Sequence, residues 1–119
     1  MLVVFFDAKE KGRESELLKQ LRENFGRLHE AKAVVLGISA SRPAQHRAAM
    51  ERDGNIPFPL LSDLDYEVHN KWGAYDSSKN QPREAVFIVD RAGMIRNTHL
   101  GPGKLGTPDA WIAELKAVP

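Results

Sequence analysis

A cluster of charged side chains follows the first apolar run of the chain. That run is Leu2–Phe6, and the residues after it include Lys11, Arg13 and Glu14. A buried strand that leads directly to the start of a helix is a common place for catalytic or binding side chains, so Lys11, Arg13 and Glu14 are candidate site residues.

A structural role is the alternative for the same charges. A glutamate in the first turn of a helix interacts favourably with the helix dipole, which accounts for Glu14 without any activity. The sequence favours this structural role, because first-turn glutamates are common and no histidine lies close in sequence to Glu14.

Thiol chemistry is excluded by composition. The chain has no cysteine, so it contains no disulfide, thiolate metal site or thiol nucleophile. Its histidines are His29, His46, His69 and His99, which fall on different elements and show no metal-ligand spacing. We expect these histidines to be solvated, and we expect no metal ion or other cofactor.

Length and charge are those of one ordinary soluble domain, residues 1–119. Lys and Arg total 17 against 16 Asp and Glu, a formal net charge of +1, which gives no electrostatic basis for binding nucleic acid. No apolar run approaches the roughly 20 residues of a membrane span. The first residues also lack a signal-peptide pattern, so we expect a cytoplasmic protein without membrane contact.

The spacing of apolar residues predicts alternating strands and helices. Short runs of branched and aromatic residues predict buried strands, and apolar residues three or four apart predict amphipathic helices. The first half is predicted as a strand at Leu2–Phe6, a helix at 12–28, a strand at Ala33–Ile38 and a helix at 41–54. An extended segment or short edge strand follows at 56–65, with Asp63 capping a short helix to Trp72. The rest is predicted as a polar loop at 74–84, a hairpin of 85–90 with 94–101, and a last helix capped at Thr107. Because a helix joins the first two strands, they should be parallel, whereas the hairpin is antiparallel. The sequence therefore predicts an α/β fold with a mixed central sheet and helices on both faces.

This order and four stretches of sequence resemble the peroxiredoxins of the AhpC/TSA (redoxin) family. The stretches are VVFF, VVLGISA, IPFPLLSDLDYEVHNKWGAY and AVFIVDRAGMIRNTHLG, which together extend from Leu2 to Gly101. The resemblance implies a thioredoxin-like fold and an antioxidant oxidoreductase ancestry. In that family, a cysteine in the first turn after the VVFF strand attacks the peroxide O–O bond, and the helix N-terminus and an arginine stabilise its thiolate.

Every position of that peroxidase site carries a different residue in this chain. The resemblance places the threonine, proline and cysteine of the family's Thr-Pro-x-Cys pattern on Lys11, Gly12 and Glu14. The resemblance places the arginine position on Glu84, with Arg83 one place earlier. We therefore predict that thiol peroxidase activity is absent.

With this placement, Glu14 and Glu84 would face each other as a carboxylate pair suited to acid–base chemistry or metal binding, with the pKa of one of them raised. The alternative, which the sequence favours, is an ordinary salt bridge from Glu84 to Lys11 or Arg13.

The resemblance also bears on assembly and function. The resemblance implies an N-terminal hairpin before the first strand, and we expect this chain to lack it. Since bare sheet edges are rare, we expect a homodimer or a complex with a related redoxin subunit. Three functions stay open. The chain could be a peroxiredoxin-like binding or partner protein, an enzyme of another class that uses Lys11, Arg13, Glu14 and Glu84 on a small substrate, or a structural subunit completed by another chain.

Overall fold

The computed structural model describes residues 1–6, 16–40, 44, 47, 57–101 and 103–117. The strands of this part of the chain are β1 (Leu2–Phe5), β2 (Val35–Ser39), β3 (Leu60–Ser62), β4 (Tyr75–Asp76), β5 (Gln81–Pro82), β6 (Ala85–Val89) and β7 (Ile95–Leu100). Its helices are α1 (Glu16–Glu23), α2 (Phe25–Glu30), α3 (Glu67–Trp72) and α4 (Pro108–Ala117).

Five strands form one mixed sheet in the order β3-β2-β1-β6-β7. β1 is parallel to β2, and β2 is parallel to β3. β6 is antiparallel to both of its neighbours, β1 and β7. The predicted parallel pair, the short edge strand and the C-terminal hairpin are all confirmed.

The hydrophobic core lies on both faces of this sheet. Successive side chains of a strand point to opposite faces, so Leu2 and Val4 of β1 face one way and Val3 and Phe5 the other. The first face packs against α1, α2 and α4 through Leu17, Leu18, Leu21, Leu28, Trp111 and Ile112. The second packs against Val68 and Trp72 of α3. Helices on both faces are therefore confirmed.

The long helix predicted at 12–28 is two helices where the structure describes it. α1 ends at Glu23 and α2 begins at Phe25, with Asn24 between them. The Asn24 side-chain amide donates to the carbonyl of Gln20 at 2.8 Å. Asparagine bonds to the local backbone in this way and has low helix propensity, which explains the break. The beginning of that helix, and the helix predicted at 41–54 apart from Ala44 and Arg47, lie outside the described residues.

The segment predicted as a polar loop, 74–84, contains a second sheet. β4 and β5 pair antiparallel, with Tyr75 opposite Pro82. The Asp76 carboxylate accepts hydrogen bonds from the hydroxyl and the backbone N–H of Ser78, and Asn80 has a positive φ of 50°. These are turn interactions of Asp and Asn, and they form a hairpin without any apolar run.

Two predicted caps and turns are confirmed. The Thr107 hydroxyl accepts the N–H of Ala110 in the first turn of α4, at 3.2 Å. The Asp90 carboxylate accepts the N–H groups of Ala92 and Met94, both at 2.9 Å, which closes the turn between β6 and β7. In the part of the chain that the structure describes, no helix is both long and apolar enough to cross a bilayer.

Candidate functional site

Glu84 lies near the C-terminal end of β1, and the charged residues predicted to form the site follow this strand in sequence. It directly precedes Ala85, which is paired with Phe5. The Glu84 side chain is half-buried and lines a cavity of about 260 Å³ together with Leu17 and Gln20 of α1 and the loop residues Gly103, Leu105 and Gly106. Glu84 therefore faces the beginning of α1. In the sequence, Lys11, Arg13 and Glu14 precede this helix.

The other predicted site residues, Lys11, Gly12, Arg13 and Glu14, lie outside the described residues. A carboxylate pair between Glu14 and Glu84 therefore stays a prediction, and so do the salt bridges that the structural alternative requires.

The wall of the Glu84 cavity opposite α1 is a well-anchored loop. The indole N–H of Trp111 donates to the carbonyl of Leu105 at 2.7 Å, and the N–H of Gly101 donates to the carbonyl of Glu84 at 2.8 Å. Gly106 has a φ of +78°, and a Cβ there would lie 3.1 Å from the indole nitrogen of Trp111. Gly106 therefore allows the loop backbone to approach the Trp111 indole closely, which a larger residue would prevent.

Arg83 is turned away from this cavity. Its Nη2 lies 3.4 Å from Oδ2 of Asp76, and its backbone N–H donates to the carbonyl of Ala74. The hydrogen bond from the Ser78 hydroxyl, with a contribution from the nearby Arg83 charge, holds the pKa of Asp76 below its usual value. Arg83 is thus occupied with the β4–β5 hairpin, while its neighbour Glu84 faces α1.

The prediction that His69 is solvated is wrong. Its side chain is 1% exposed, and Nδ1 lies 2.6 Å from Oδ2 of Asp63. The imidazole also packs edge-on against Phe5 and Tyr66. His69 lies three residues before Trp72, a spacing that places both on one face of α3. The contact that buries His69 comes from Phe5 of β1, which is distant in the chain.

Asp63 is the cap that the sequence predicted for α3. Its carboxylate accepts the N–H of Val68 at 3.1 Å and the N–H of His69 at 2.8 Å. Burial acts to raise the pKa of Asp63, but the hydrogen bonds from the His69 side chain and from the two backbone groups outweigh it and hold that pKa below its usual value. The pair is therefore a structural anchor between the start of α3 and the central sheet.

The remaining histidines differ from one another. His29 is exposed, as predicted, with its ring over Phe25. His99 is half-buried instead, and its Nε2 lies 2.8 Å from Oε2 of Glu114 in α4. His46 lies outside the described residues. Within the described ranges, no three His, Asp or Glu side chains come together in a way that could hold a metal ion.

The sheet order, the parallel β1–β2 pair and the helices on both faces define a thioredoxin-like α/β domain, and this domain carries no cysteine. The profile of the AhpC/TSA family matches residues 1–98. The chain therefore belongs to the AhpC/TSA family, and the predicted resemblance and fold class are confirmed.

Relatives and solved structures agree with this assignment. Alkyl hydroperoxide reductase E of Mycobacterium tuberculosis is 29% identical over 121 residues, which span 99% of this chain and 78% of that protein. The structure of Enterococcus faecalis AhpC matches with a TM-score of 0.76 at 23% identity, over 98% of this chain and 73% of that one. Plasmodium yoelii thioredoxin peroxidase I matches with a TM-score of 0.83 at 18% identity, over 98% and 70%. At these identities the two structures establish likeness of fold alone.

Proposed function

We propose that this chain is a peroxiredoxin-like protein that has lost thiol peroxidase chemistry and acts by binding, alone or as a subunit beside a related redoxin. One observation carries the proposal: a member of the AhpC/TSA family contains no cysteine. Attack on a peroxide by the family's route requires a thiolate nucleophile. The sequence contains no thiol, so that route is closed to this chain.

The retained fold supports a role in binding. Both faces of the sheet keep a closely packed core, which includes fully buried Phe5, Phe87 and Trp111. The position that the resemblance assigns to the catalytic arginine holds Glu84, an acidic side chain in a cavity beside α1. The electrostatics of that position are thus reversed in sign, which suits a ligand other than the one the family's thiolate site accepts.

The sheet edges support self-association or pairing with a related subunit. In the described part of the sheet the outer strands are β3 and β7. At the beginning of β7, Met94 and Ile95 are 58% and 47% exposed. Unpaired strand edges with exposed apolar side chains are sites where another chain can add. A homodimer is the simplest such assembly, and a cytoplasmic location stays a prediction of the sequence.

Native mass spectrometry of the protein, purified gently from its own host, tests this proposal. A dimer, a second redoxin chain or a retained small molecule is the expected result. A monomer with no added mass, even at high protein concentration, would contradict a role as a binding protein or subunit.

An enzyme of another class is the second candidate. It is favoured by the placement of Glu84, half-buried and next to the beginning of α1, where Lys11, Arg13 and Glu14 precede the helix in sequence. Replacing both Glu14 and Glu84 by Gln should then abolish ligand binding or turnover without lowering the melting temperature. Glu67→Gln is the matched control, because Glu67 is exposed and pairs with Lys71 on the surface of α3. Equal effects of the control and the double variant would exclude this candidate.

A further inference from the structure

A larger cavity lies at the other end of the sheet from Glu84. It is bounded by Met1 before β1, by Val34 before β2 and by Val89 at the end of β6, and its volume is about 530 Å³. Because β1 and β6 are antiparallel, with Leu2 opposite Ile88 and Phe5 opposite Ala85, this basal cavity and the Glu84 cavity stand at opposite ends of the same two strands. Its size falls within the range of small-molecule sites, roughly 300–1,000 Å³.

The basal cavity has an apolar wall and a cationic rim. The apolar wall consists of Ala31, Ala33, Val34, Val89 and Leu115. The cationic rim consists of Lys32, Arg91 and Lys116, all of them exposed side chains. The N-terminal amino group of Met1 also lines the cavity and donates to the carbonyl of Val89 at 2.8 Å. Among the described lining residues, these four cationic groups face a single carboxylate, that of Asp90.

Asp90 does not neutralise the cationic rim. Its side chain is only 4% exposed, and its carboxylate accepts the N–H groups of Ala92 and Met94. The second oxygen lies 2.6 Å from Nε of Arg96, a residue outside the cavity. The hydrogen bond from Met94 and the Arg96 guanidinium hold the pKa of Asp90 below its usual value, so its charge is committed to the hairpin turn.

Lys32 occupies a backbone position that favours glycine. Its φ is +60°, and it follows Ala31, the residue that caps the C-terminus of α2. Its N–H donates to the carbonyl of His29, and the N–H of Ala33 donates to the carbonyl of Leu28. These two bonds define a Schellman motif, in which the left-handed residue is usually Gly because a side chain is strained there. A lysine therefore stands on the rim of the cavity at a cost in stability, which points to a use for its side chain.

We propose that the basal cavity binds a small organic carboxylate with an apolar body. The cationic rim holds the carboxylate group, and the apolar wall takes the hydrocarbon part. The basal cavity is separate from the Glu84 cavity. Carboxylate binding here can therefore be refuted without affecting the proposed function, and the proposed function can be refuted without affecting it.

A structural role for the same lysines makes different predictions. Lys32 follows α2 and Lys116 lies in the last turn of α4, and cations near helix C-termini interact favourably with the helix dipole. If that were their only role, removing a lysine would change stability and would leave ligand affinity unaltered.

Octanoate is a suitable probe. Its binding to the full chain can be measured by calorimetry and by two-dimensional amide NMR. We expect saturable binding, with chemical-shift changes confined to residues around the basal cavity. Affinity should fall when NaCl is raised from about 20 mM to about 500 mM, because salt screens exposed charges. Octan-1-ol, which has the same chain without the charge, should bind more weakly. No saturation by octanoate, or equal affinity for octan-1-ol, would overturn the proposal.

Two variants separate binding from stability. Lys116→Met should weaken octanoate binding about threefold to fivefold, whereas Lys79→Met, which removes the same charge from the β4–β5 turn, should not. Lys32→Gly should weaken binding to a similar degree while raising the melting temperature by about 2–5 °C, because it relieves the left-handed strain. A Lys32→Gly protein that gains stability and keeps its affinity for octanoate would contradict the proposal.

Discussion

The Asp63 carboxylate and the His69 imidazole form a buried pair, in which Oδ2 lies 2.6 Å from Nδ1. The same carboxylate accepts two backbone N–H groups in the first turn of α3. The His69 ring packs against Phe5 of β1, with 4.9 Å between the ring centroids. One acidic side chain thus caps α3 and also orients the histidine that joins this helix to the central sheet.

The pair makes stability depend on pH in the acid range. Since the pKa of Asp63 is lower in the folded protein than its ordinary value of 3.8, the unfolded chain takes up the proton first as pH falls. The contribution of Asp63 is therefore complete above the unfolded value and is lost as pH falls through the folded one. Urea unfolding at a series of pH values should show the free energy of unfolding falling between about pH 5 and pH 2.

Asp76 and Asp90 also have lowered pKa values, so they contribute to the same loss of stability in acid. The Asp63→Asn variant isolates the contribution of Asp63. The variant should lose stability at neutral pH and show a shallower decline in acid than the unaltered protein. Parallel pH profiles for the two proteins would show that Asp63 does not contribute in this way.

Coupling within the pair can be measured by a double-mutant cycle. Asp63→Asn should cost about 1–2 kcal/mol, because it weakens the cap and the bond to His69. His69→Phe keeps a ring against Phe5 but leaves the buried carboxylate without its side-chain donor, which should cost about 1–3 kcal/mol. The double variant should lose less than the sum, with a coupling energy of about 0.5–2 kcal/mol.

The control for this cycle is Asp65→Asn. Asp65 is an exposed neighbour whose carboxylate accepts only the N–H of Glu67 in the described structure, at 3.2 Å, and its replacement should change stability by no more than about 0.5 kcal/mol. Strict additivity of Asp63→Asn and His69→Phe in chemical denaturation would contradict the interaction described here.

Gly106 should be the more sensitive of two glycines in the loop before α4. Both Gly103 and Gly106 have a positive φ, 79° and 78°, but a Cβ at Gly103 meets nothing within 4 Å, whereas one at Gly106 lies 3.1 Å from the Trp111 indole and 3.3 Å from the His99 ring. Gly103→Ala should therefore cost only the backbone strain, about 1 kcal/mol. Gly106→Ala should cost roughly 2–3 kcal/mol, because strain and crowding act together.

Thermal and urea unfolding of the two alanine variants measure this difference. Tryptophan fluorescence of Gly106→Ala should also change, since the indole must move away from the carbonyl of Leu105. Equal costs at the two positions would mean that the close approach to Trp111 is not a constraint.

The sequence predicted the elements whose signals are local. β1 and β6 are continuous apolar runs, and Asp63, Asp90 and Thr107 stand where capping and turn residues are expected. These features depend on hydrogen bonds between residues close in the chain, so they can be read without knowing the rest of the fold.

Features that depend on distant contacts were missed. The burial of His69 requires Phe5, which lies in β1, far from α3 in the chain. The hairpin of β4 and β5 was missed for a different reason, because its turn interactions at Asp76 and Asn80 occur without an apolar run. Distant contacts also limit what the sequence shows of the candidate site. Glu84 was identified from the resemblance alone, but its cavity is made by α1 and by the loop before α4, elements that only the folded chain brings together.

Consumption of hydrogen peroxide in the presence of a thiol reductant is the most direct test of the central claim, that this AhpC/TSA protein has lost thiol peroxidase chemistry. Alkyl hydroperoxide reductase E of Mycobacterium tuberculosis, assayed at equal concentration, serves as the comparison. We expect the rate with this protein to equal that of reductant and buffer alone, because the chain has no thiolate to attack the O–O bond. A rate that rises in proportion to the protein concentration and saturates with peroxide would contradict the account.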